Sequence, residues 1–264
     1  QFYGNWVFSE NLTGGSAVEV TGGNLNVYCG TFTAAQGDGI FVKGGNAVIN
    51  GGSFSGNDAY VTSTNLRAGI AASYAFKMYG GTVTINDGKF KSQGSGAMII
   101  GTNGSTASAT INGGEFIASG QAGFSVYNYA SVSFTSNDVE VEGIAAGLTV
   151  EGVHNGNNSM NYAESEITIS GGTFTGKGPS NLGGGDGIWF DNKHVRMNIT
   201  GGTIKGEARY GINITSSGNA DDGGVLNVSG ATVTGSTNSP QIYDHNFGWI
   251  LRPEYFPGNR DGYN

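Results

Sequence analysis

Four residues with side chains suited to acid–base chemistry lie close together in the chain: Asp191, Lys193, His194 and Arg196. Asp186 precedes them by a few positions. A lyase that acts on a uronic acid needs a cation to neutralise the sugar carboxylate. It also needs a base such as Lys, Arg or His to take the proton at C5. These residue types supply both groups, and the first four are our candidate catalytic residues if the chain is an enzyme.

Two other kinds of carbohydrate chemistry are open to neighbouring residues. A glycosidase needs paired carboxylates about 5 to 10 Å apart, and Glu151 with Asp191 is one such pair if they lie on adjacent strands. Asp221 and Asp222 are a second pair, although Asp-Asp-Gly-Gly is equally typical of a turn. A binding site without turnover would use an outward-facing Trp189, with Tyr210 and Glu151 beside it.

The acidic residues between positions 138 and 166 have oxygens suited to Ca²⁺. Their spacing matches no fixed set of ligands, so the sequence predicts no metal site. A calcium ion is expected only if the chain is a lyase, and no other cofactor is predicted.

A repeated pattern determines where these residues lie. At 167–175 the chain reads apolar, polar, apolar, small polar, Gly, Gly, polar, Phe, polar, and this pattern returns about eight times. Self-similarity at this period is typical of stacked repeats. The last apolar position of each repeat is occupied by Phe32, Phe54, Phe90, Phe116, Val139, Phe174, Ile204 and Val233. An apolar position five residues earlier is occupied by Val27, Ile49, Ile85, Ile111, Phe134, Ile169, Ile199 and Val228.

Alternation of apolar and polar residues predicts strands with one buried face. The Gly pair allows a tight bend between two such strands. A third strand follows after a glycine at Gly39, Gly123, Gly147, Gly187 and Gly211. Three strands per turn, with turns of about 22 to 36 residues, predict a β-solenoid. The alternative is a loose sandwich, whose strands would not keep a fixed Gly-Gly register.

This pattern resembles the right-handed parallel β-helix of the pectate-lyase-like superfamily over about residues 24 to 250. The resemblance implies an all-β, right-handed parallel β-helix of about eight coils with three strands per coil. The superfamily includes lyases, hydrolases, epimerases, phage tailspikes, adhesins and non-catalytic surface proteins. The motifs that resemblance to polygalacturonases or pectate lyases would require are Gly-His-Gly, Arg-Ile-Lys and Trp-x-Asp-His, and the chain contains none of them.

The outward positions beside the Phe column are polar. The position before it is Thr31, Ser53, Lys89, Glu115, Asp138, Thr173, Thr203 and Thr232, and the position after it includes Glu140 in the same repeat as Asp138. Lys89 is therefore expected to pair with Glu115 on the next coil.

We expect one domain in three parts: an N-terminal cap at 1–23, coils at 24–244, and a C-terminal aromatic tail or cap at 245–264. A solenoid must cover its open ends, and both terminal segments are rich in aromatic residues. The tail either covers its own coil or packs on a neighbouring molecule. The candidate assembly residues are Phe2, Trp6, Phe247, Trp249, Tyr255 and Phe256.

The net charge of −8 argues against nucleic acid or an anionic membrane as a partner. No apolar run approaches the length of a membrane span, so membrane insertion is not expected. Few charges, many Asn, Ser, Thr and Gly residues, and Gln at position 1 predict a secreted, extracellular or cell-surface protein. Cys29 is the single cysteine, and we expect a buried thiol or an intermolecular bridge. Asn11, Asn103 and Asn157 are glycosylation candidates if the source is eukaryotic.

These observations leave three hypotheses. The first is a secreted, non-catalytic structural or cell-surface protein that self-associates into filaments or arrays through its capped ends. The second is a lyase or hydrolase of an acidic extracellular polysaccharide. The third is a carbohydrate-binding or adhesive module without turnover.

Overall fold

The computed structural model describes residues 16–34, 37–56, 73–93, 96–101, 105–154, 160–161, 163–179, 184–192, 194–215, 225–236, 241–244 and 250–251. Over these ranges the chain forms strands and no helix, and nearly all of the strands belong to three long parallel sheets. We call them sheets A, B and C.

Neighbouring strands of each sheet come from successive passages of the chain. Sheet A consists of β1 (Val18–Val20), β4 (Ile40–Val42), β7 (Phe76–Met78), β10 (Met98–Ile100), β13 (Phe124–Val126), β16 (Ala146–Glu151), β21 (Asp186–Asp191), β24 (Ile212–Ile214) and β27 (Ile242–Asp244). Sheet B consists of β2 (Asn24–Val27), β5 (Asn46–Ile49), β8 (Gly81–Ile85), β11 (Ala107–Ile111), β14 (Ala130–Phe134), β19 (Ser165–Ile169), β22 (Val195–Ile199), β25 (Val225–Val228) and β28 (Ile250–Leu251). Sheet C consists of β3 (Thr31–Thr33), β6 (Ser53–Gly56), β9 (Lys89–Ser92), β12 (Gly114–Ala118), β15 (Val139–Gly143), β20 (Thr173–Gly176), β23 (Thr203–Gly206) and β26 (Thr232–Thr234). A short antiparallel pair, β17 (Val153–His154) and β18 (Met160–Asn161), stands apart from the three sheets.

The chain passes from sheet A to sheet B to sheet C and back to sheet A. This order, with parallel pairing throughout the three sheets, confirms the predicted parallel β-solenoid with three strands per coil. Coil length varies because loops differ: Asn24 and its ladder partner Asn46 are 22 residues apart, whereas Asn46 and Thr82 are 36 apart.

The sheets extend into both segments that the sequence assigns to the ends. Val18–Val20 pairs in parallel with Ile40–Val42, so sheet A begins before position 24. Ile250–Leu251 pairs in parallel with β25, so sheet B continues into the 245–264 segment. The six aromatic residues proposed for assembly all lie outside the described residues.

The interior is filled by the apolar columns, and four of its rings form a parallel stack. The ring centroids of Phe32, Phe54, Phe90 and Phe116 are 5.0, 4.8 and 4.8 Å apart in succession, with interplanar angles of 10° or less. The stack ends at Phe116, and the aromatic contacts continue edge to face through Phe124, Phe134 and Phe174. Such pairs stabilise a core beyond the area that they bury.

The stack ends there because one coil has a different register from the one that the sequence predicts. Phe116 is opposite Val141, and Val141 is opposite Phe174. The prediction that Val139 occupies this column is wrong, and Val139 instead lies opposite Gly114. The bend before β15 is two residues longer than in other coils. The outward residues of this coil are therefore Glu140 and Glu142 rather than Asp138 and Glu140.

The glycine that precedes many sheet A strands has a steric cause. A Cβ on Gly187 would lie 2.6 Å from the Gly211 carbonyl oxygen and 2.9 Å from the Lys205 amide nitrogen. Both atoms belong to the main chain, so the neighbouring strands cannot move aside cheaply. Glycine at this corner lets sheet A turn tightly against sheet C.

Polar ladders connect the coils on the outside. The amide of Asn86 donates to Asn50 and that of Asn112 donates to Asn86, both over 2.8 Å. The predicted pair of Lys89 and Glu115 is confirmed, with 2.9 Å between Nζ and Oε1. This hydrogen bond raises the pKa of Lys89 above its ordinary value.

The thiol of Cys29 is exposed, so the prediction that it is buried is wrong. The described residues contain no helix long and apolar enough to cross a membrane.

Candidate functional site

Three of the four candidate catalytic residues, Asp191, His194 and Arg196, lie around one corner of the solenoid, between sheets A and B. Asp191 ends β21 and is opposite Glu151 on the preceding coil. The two carboxylates therefore occupy neighbouring positions, as the glycosidase hypothesis requires. His194 lies in the turn that follows, and its main-chain N–H donates to the Asn192 side-chain oxygen over 3.0 Å.

Arg196 lies beyond that corner, on the outward side of β22 in sheet B. It is exposed and is opposite Glu166. Asp191 and Arg196 thus belong to the outer faces of two different sheets. Lys193, between them, lies outside the described residues, as do the glycosylation candidates Asn11, Asn103 and Asn157 and the pair Asp221 and Asp222.

Trp189 lies on the outward side of sheet A, as the sequence predicts, but it is only 7% exposed. Its indole N–H donates to the Thr215 hydroxyl over 2.7 Å. Most of the surrounding outward column is buried as well. The buried members of this column are Ile99, Ser125, Thr149, Trp189 and Asn213. A sugar ring would therefore find little of the indole face on which to stack.

Tyr210 is half-buried beside this column. Its ring stacks on Tyr243 with the centroids 4.6 Å apart, and the Arg209 guanidinium lies 5.0 Å from the Tyr210 centroid. At least one face of the Tyr210 ring is therefore already in contact with protein.

The carboxylate of Asp186 is fully buried and is held by its neighbours. It accepts hydrogen bonds from the Asn213 amide over 2.7 Å and from the Tyr210 main-chain N–H over 3.2 Å. Arg209 lies 3.6 Å away and supplies a compensating positive charge. A buried carboxylate needs such partners, and these contacts explain how Asp186 is accommodated in the interior.

A second buried carboxylate, Asp38, lies towards the other end of sheet A. The Lys77 ammonium is 3.6 Å from it and about 5 Å from the ring centroids of Phe41 and Tyr79. Tyr74 donates its main-chain N–H to Asp38 over 2.8 Å. Sequence reasoning missed this cluster because the strand that carries Lys77 follows Ala75, and not the glycine that the sequence pattern uses to identify the third strand.

Two buried asparagines fix the corner on which Asp191 and His194 lie. The Asn192 amide donates to the Asn128 side-chain oxygen over 3.2 Å and to the Ala163 carbonyl over 3.1 Å. Asn128 in turn accepts from the Ala163 main-chain N–H over 3.0 Å. Asn128 and Asn192 are both fully buried, so this network determines how the chain passes from sheet A to sheet B.

Replacing Asn192 with alanine should lower the free energy of unfolding by about 3 kcal/mol, because the variant loses the three hydrogen bonds that join Asn192 to Asn128, Ala163 and His194. The exposed ladder residue Asn86 is the matched control, and its alanine variant should lose less than about 1 kcal/mol. Urea unfolding followed by circular dichroism measures both. Equal losses in the two variants would show that the corner network contributes no more to stability than the exposed ladder does.

Tyr127 lies next to this corner and is not available as a base. Burial is the main reason that the pKa of Tyr127 is raised well above its ordinary value, and the carboxylate of Glu151 adds to the effect. The phenol therefore remains protonated at neutral pH. Over the described ranges, no three His, Cys, Asp or Glu side chains come together as a group that could hold a metal ion.

A comparison of the chain with models of protein families, with curated proteins and with solved structures finds no match.

Proposed function

We propose that this protein is a non-catalytic structural or surface component outside the cell, built as a rod that associates with further copies of itself. The observation that carries the proposal is the pairing of polar and charged side chains on the outer faces of sheets B and C. On sheets B and C and at the bend between them, outward side chains of neighbouring coils bond to one another, in amide and hydroxyl ladders and in ion pairs such as Lys89–Glu115 and Lys177–Glu142. A surface whose polar groups are already paired and ordered suits lateral contact more than turnover.

The positions of the candidate catalytic residues support the same proposal. An acid–base pair must reach one substrate from one side, yet Asp191 and Arg196 lie on different sheets. Asp186, the other acidic residue of the lyase hypothesis, is buried in contact with Tyr210, Asn213 and Arg209. Kinship with the pectate-lyase-like superfamily is also part of this proposal, on the strength of the parallel solenoid and its register, and that superfamily includes non-catalytic surface proteins.

One observation favours a second function, hydrolysis of an acidic polysaccharide. Glu151 and Asp191 are opposite each other on adjacent strands, and strands lie about 4.8 Å apart. Retaining glycosidases hold their two carboxyl groups at about 5 to 5.5 Å. This pair, rather than the lysine, histidine and arginine of the lyase hypothesis, is therefore the site to test.

The deciding experiment is a screen of acidic and neutral polysaccharides for new reducing ends and for unsaturated products. The proposal predicts that the wild-type chain releases neither, and that a Glu151→Gln, Asp191→Asn double variant behaves identically. Release of product by the wild type that disappears in the double variant would overturn the proposal in favour of the hydrolase. Product that disappears only in an Asp191→Ala, Lys193→Ala, Arg196→Ala variant would overturn it in favour of a lyase.

A further inference from the structure

The outer face of sheet B differs from the other two faces of the solenoid. We call it the ladder face, and it has two outward columns. The first is Asn24, Asn46, Thr82, Ser108, Ser131, Glu166, Arg196 and Val225, and the second is Asn26, Val48, Thr84, Thr110, Ser133, Thr168, Asn198 and Asn227. None of these sixteen residues is buried, in contrast to the covered column of sheet A.

The ladder face is almost without charge. Among those sixteen side chains only Glu166 and Arg196 are ionised, and they are opposite each other and of opposite sign. The chain as a whole carries a net charge of −8, so its acidic surplus lies elsewhere. The outward columns of sheet C, in comparison, carry Lys89, Glu115, Glu140 and Lys205. Two copies can therefore approach through sheet B without the like-charge repulsion that the rest of the surface imposes.

Several side chains of the ladder face are already held by hydrogen bonds to one another. The Asn46 amide donates to Asn24 over 2.9 Å, and the Thr82 hydroxyl donates to Asn46 over 2.5 Å. Towards the other end of the face, the Asn227 amide donates to Asn198 over 2.7 Å. Groups held in one rotamer lose little conformational entropy when a partner covers them.

The size of the face suits a dimer. The eight strands that carry the two columns, at about 4.8 Å each and about 15 Å wide from four to five residues with a rise of about 3.3 Å, give roughly 600 Å². Two copies would then bury about 1,200 Å² in total, the lower end of the range for a stable interface. A standard protein interface buries about 800 Å² on each partner. Neither column contains an aromatic ring on which a sugar would stack, whereas flat amide and hydroxyl ladders pack well against a second sheet of the same kind.

We propose that the ladder face is the surface through which two copies of this chain associate, sheet against sheet. This inference rests on the proposed structural function and adds to it a surface and a partner. Threonine methyl groups at Thr84, Thr110 and Thr168 interdigitate with the opposite face, and the hydroxyls keep their hydrogen bonds along the ladder.

The test is sedimentation equilibrium of the full chain with two separate variants, Thr110→Lys and Thr168→Lys, each of which places a charge in the middle of the face. The wild type is expected to be a dimer at micromolar concentration. Each lysine variant should raise the dimer dissociation constant at least about tenfold, because like charges then face each other across the interface. Thr203→Lys, which makes the same change on sheet C, should leave the constant unchanged.

Thermal melting followed by circular dichroism identifies a lysine variant that has lost its fold. In that case the dissociation constant of the other lysine variant decides the test. A wild type that is monomeric throughout, or a dimer that neither lysine weakens, overturns this inference. Lysine variants that lose adsorption to an insoluble polysaccharide while dimerisation is unchanged also overturn it. A wild type that is monomeric throughout also contradicts the self-association in the proposed function, whereas the other results leave that function standing. Release of polysaccharide products overturns the non-catalytic function and does not bear on the dimer.

Discussion

Replacing Phe90 with alanine should lower the free energy of unfolding by about 3 to 5 kcal/mol. Phe90 is fully buried in the middle of the ring stack, with Phe54 and Phe116 each 4.8 Å away between centroids. Phe76 meets it edge to face at 6.0 Å. The variant loses these contacts and leaves a cavity, and the strands above and below are tied to their neighbours by main-chain hydrogen bonds. The core therefore has little freedom to close the gap.

Phe32 is the matched control because it ends the stack and is only partly buried. Its described ring contact is with Phe54 alone, at 5.0 Å, so Phe32→Ala should cost about half as much or less. Chemical unfolding monitored by circular dichroism gives both values. A smaller loss for Phe90→Ala than for Phe32→Ala would show that the stack does not carry the stability assigned to it.

Replacing Gly187 with alanine, the smallest change available there, should lower the free energy of unfolding by about 3 kcal/mol or more. The added Cβ would lie 2.6 Å from the Gly211 oxygen, 2.7 Å from Ile204 Cγ2 and 2.9 Å from the Lys205 nitrogen. Two of these three atoms are main-chain atoms of adjacent strands. Relief of the clash requires sheets A and C to separate at their shared corner, which breaks parallel pairing on both.

Gly22 provides the control for this change. A Cβ built there meets no heavy atom within 4 Å, so Gly22→Ala should be neutral or slightly stabilising. Thermal melting of both variants separates the steric effect at the corner from a general effect of replacing glycine. Similar melting temperatures for Gly187→Ala and the wild type would mean that the corner is looser than these distances show.

Much of the fold follows from the sequence because solenoid strands repeat a local pattern. The alternation around Phe54, Phe90, Phe116 and Phe174 predicts the buried face, and the structure agrees at all four. It also predicts the register of the next coil, and the structure agrees for Phe54, Phe90 and Phe174. The pattern fails where the bend changes length. At Val139 the spacing no longer reports the register, because the bend before β15 holds two more residues. Only the pairing with the coils on either side shows that Val141 fills the column.

Less of the site follows from the sequence, because exposure on the outer face depends on segments far away in the chain. Trp189 is outward by alternation, yet it is buried. Proximity along the chain also misleads at a solenoid corner, since Asp191 and Arg196 are five residues apart and lie on different sheets. The repeat does predict which residues of adjacent coils lie side by side, as for Glu151 with Asp191 and Lys89 with Glu115.

Association through the ends of the solenoid can be separated from association through the ladder face by truncating the chain. A chain truncated after Leu251 keeps the described strand β28 and lacks the two candidate assembly residues Tyr255 and Phe256. Such a chain should still pair through sheet B while losing any end-to-end association that depends on Tyr255 and Phe256. Comparison of this truncation with Thr110→Lys separates lateral from end-to-end contact.

The most direct test is negative-stain electron microscopy of the wild-type chain over a concentration series, with Thr110→Lys imaged beside it. We expect particles of more than one chain, either double-width rods or longer filaments, with single-width particles in the lysine variant at low concentration. Single short rods at every concentration of the wild type would contradict the structural function and would direct attention to Glu151 and Asp191 as a catalytic pair.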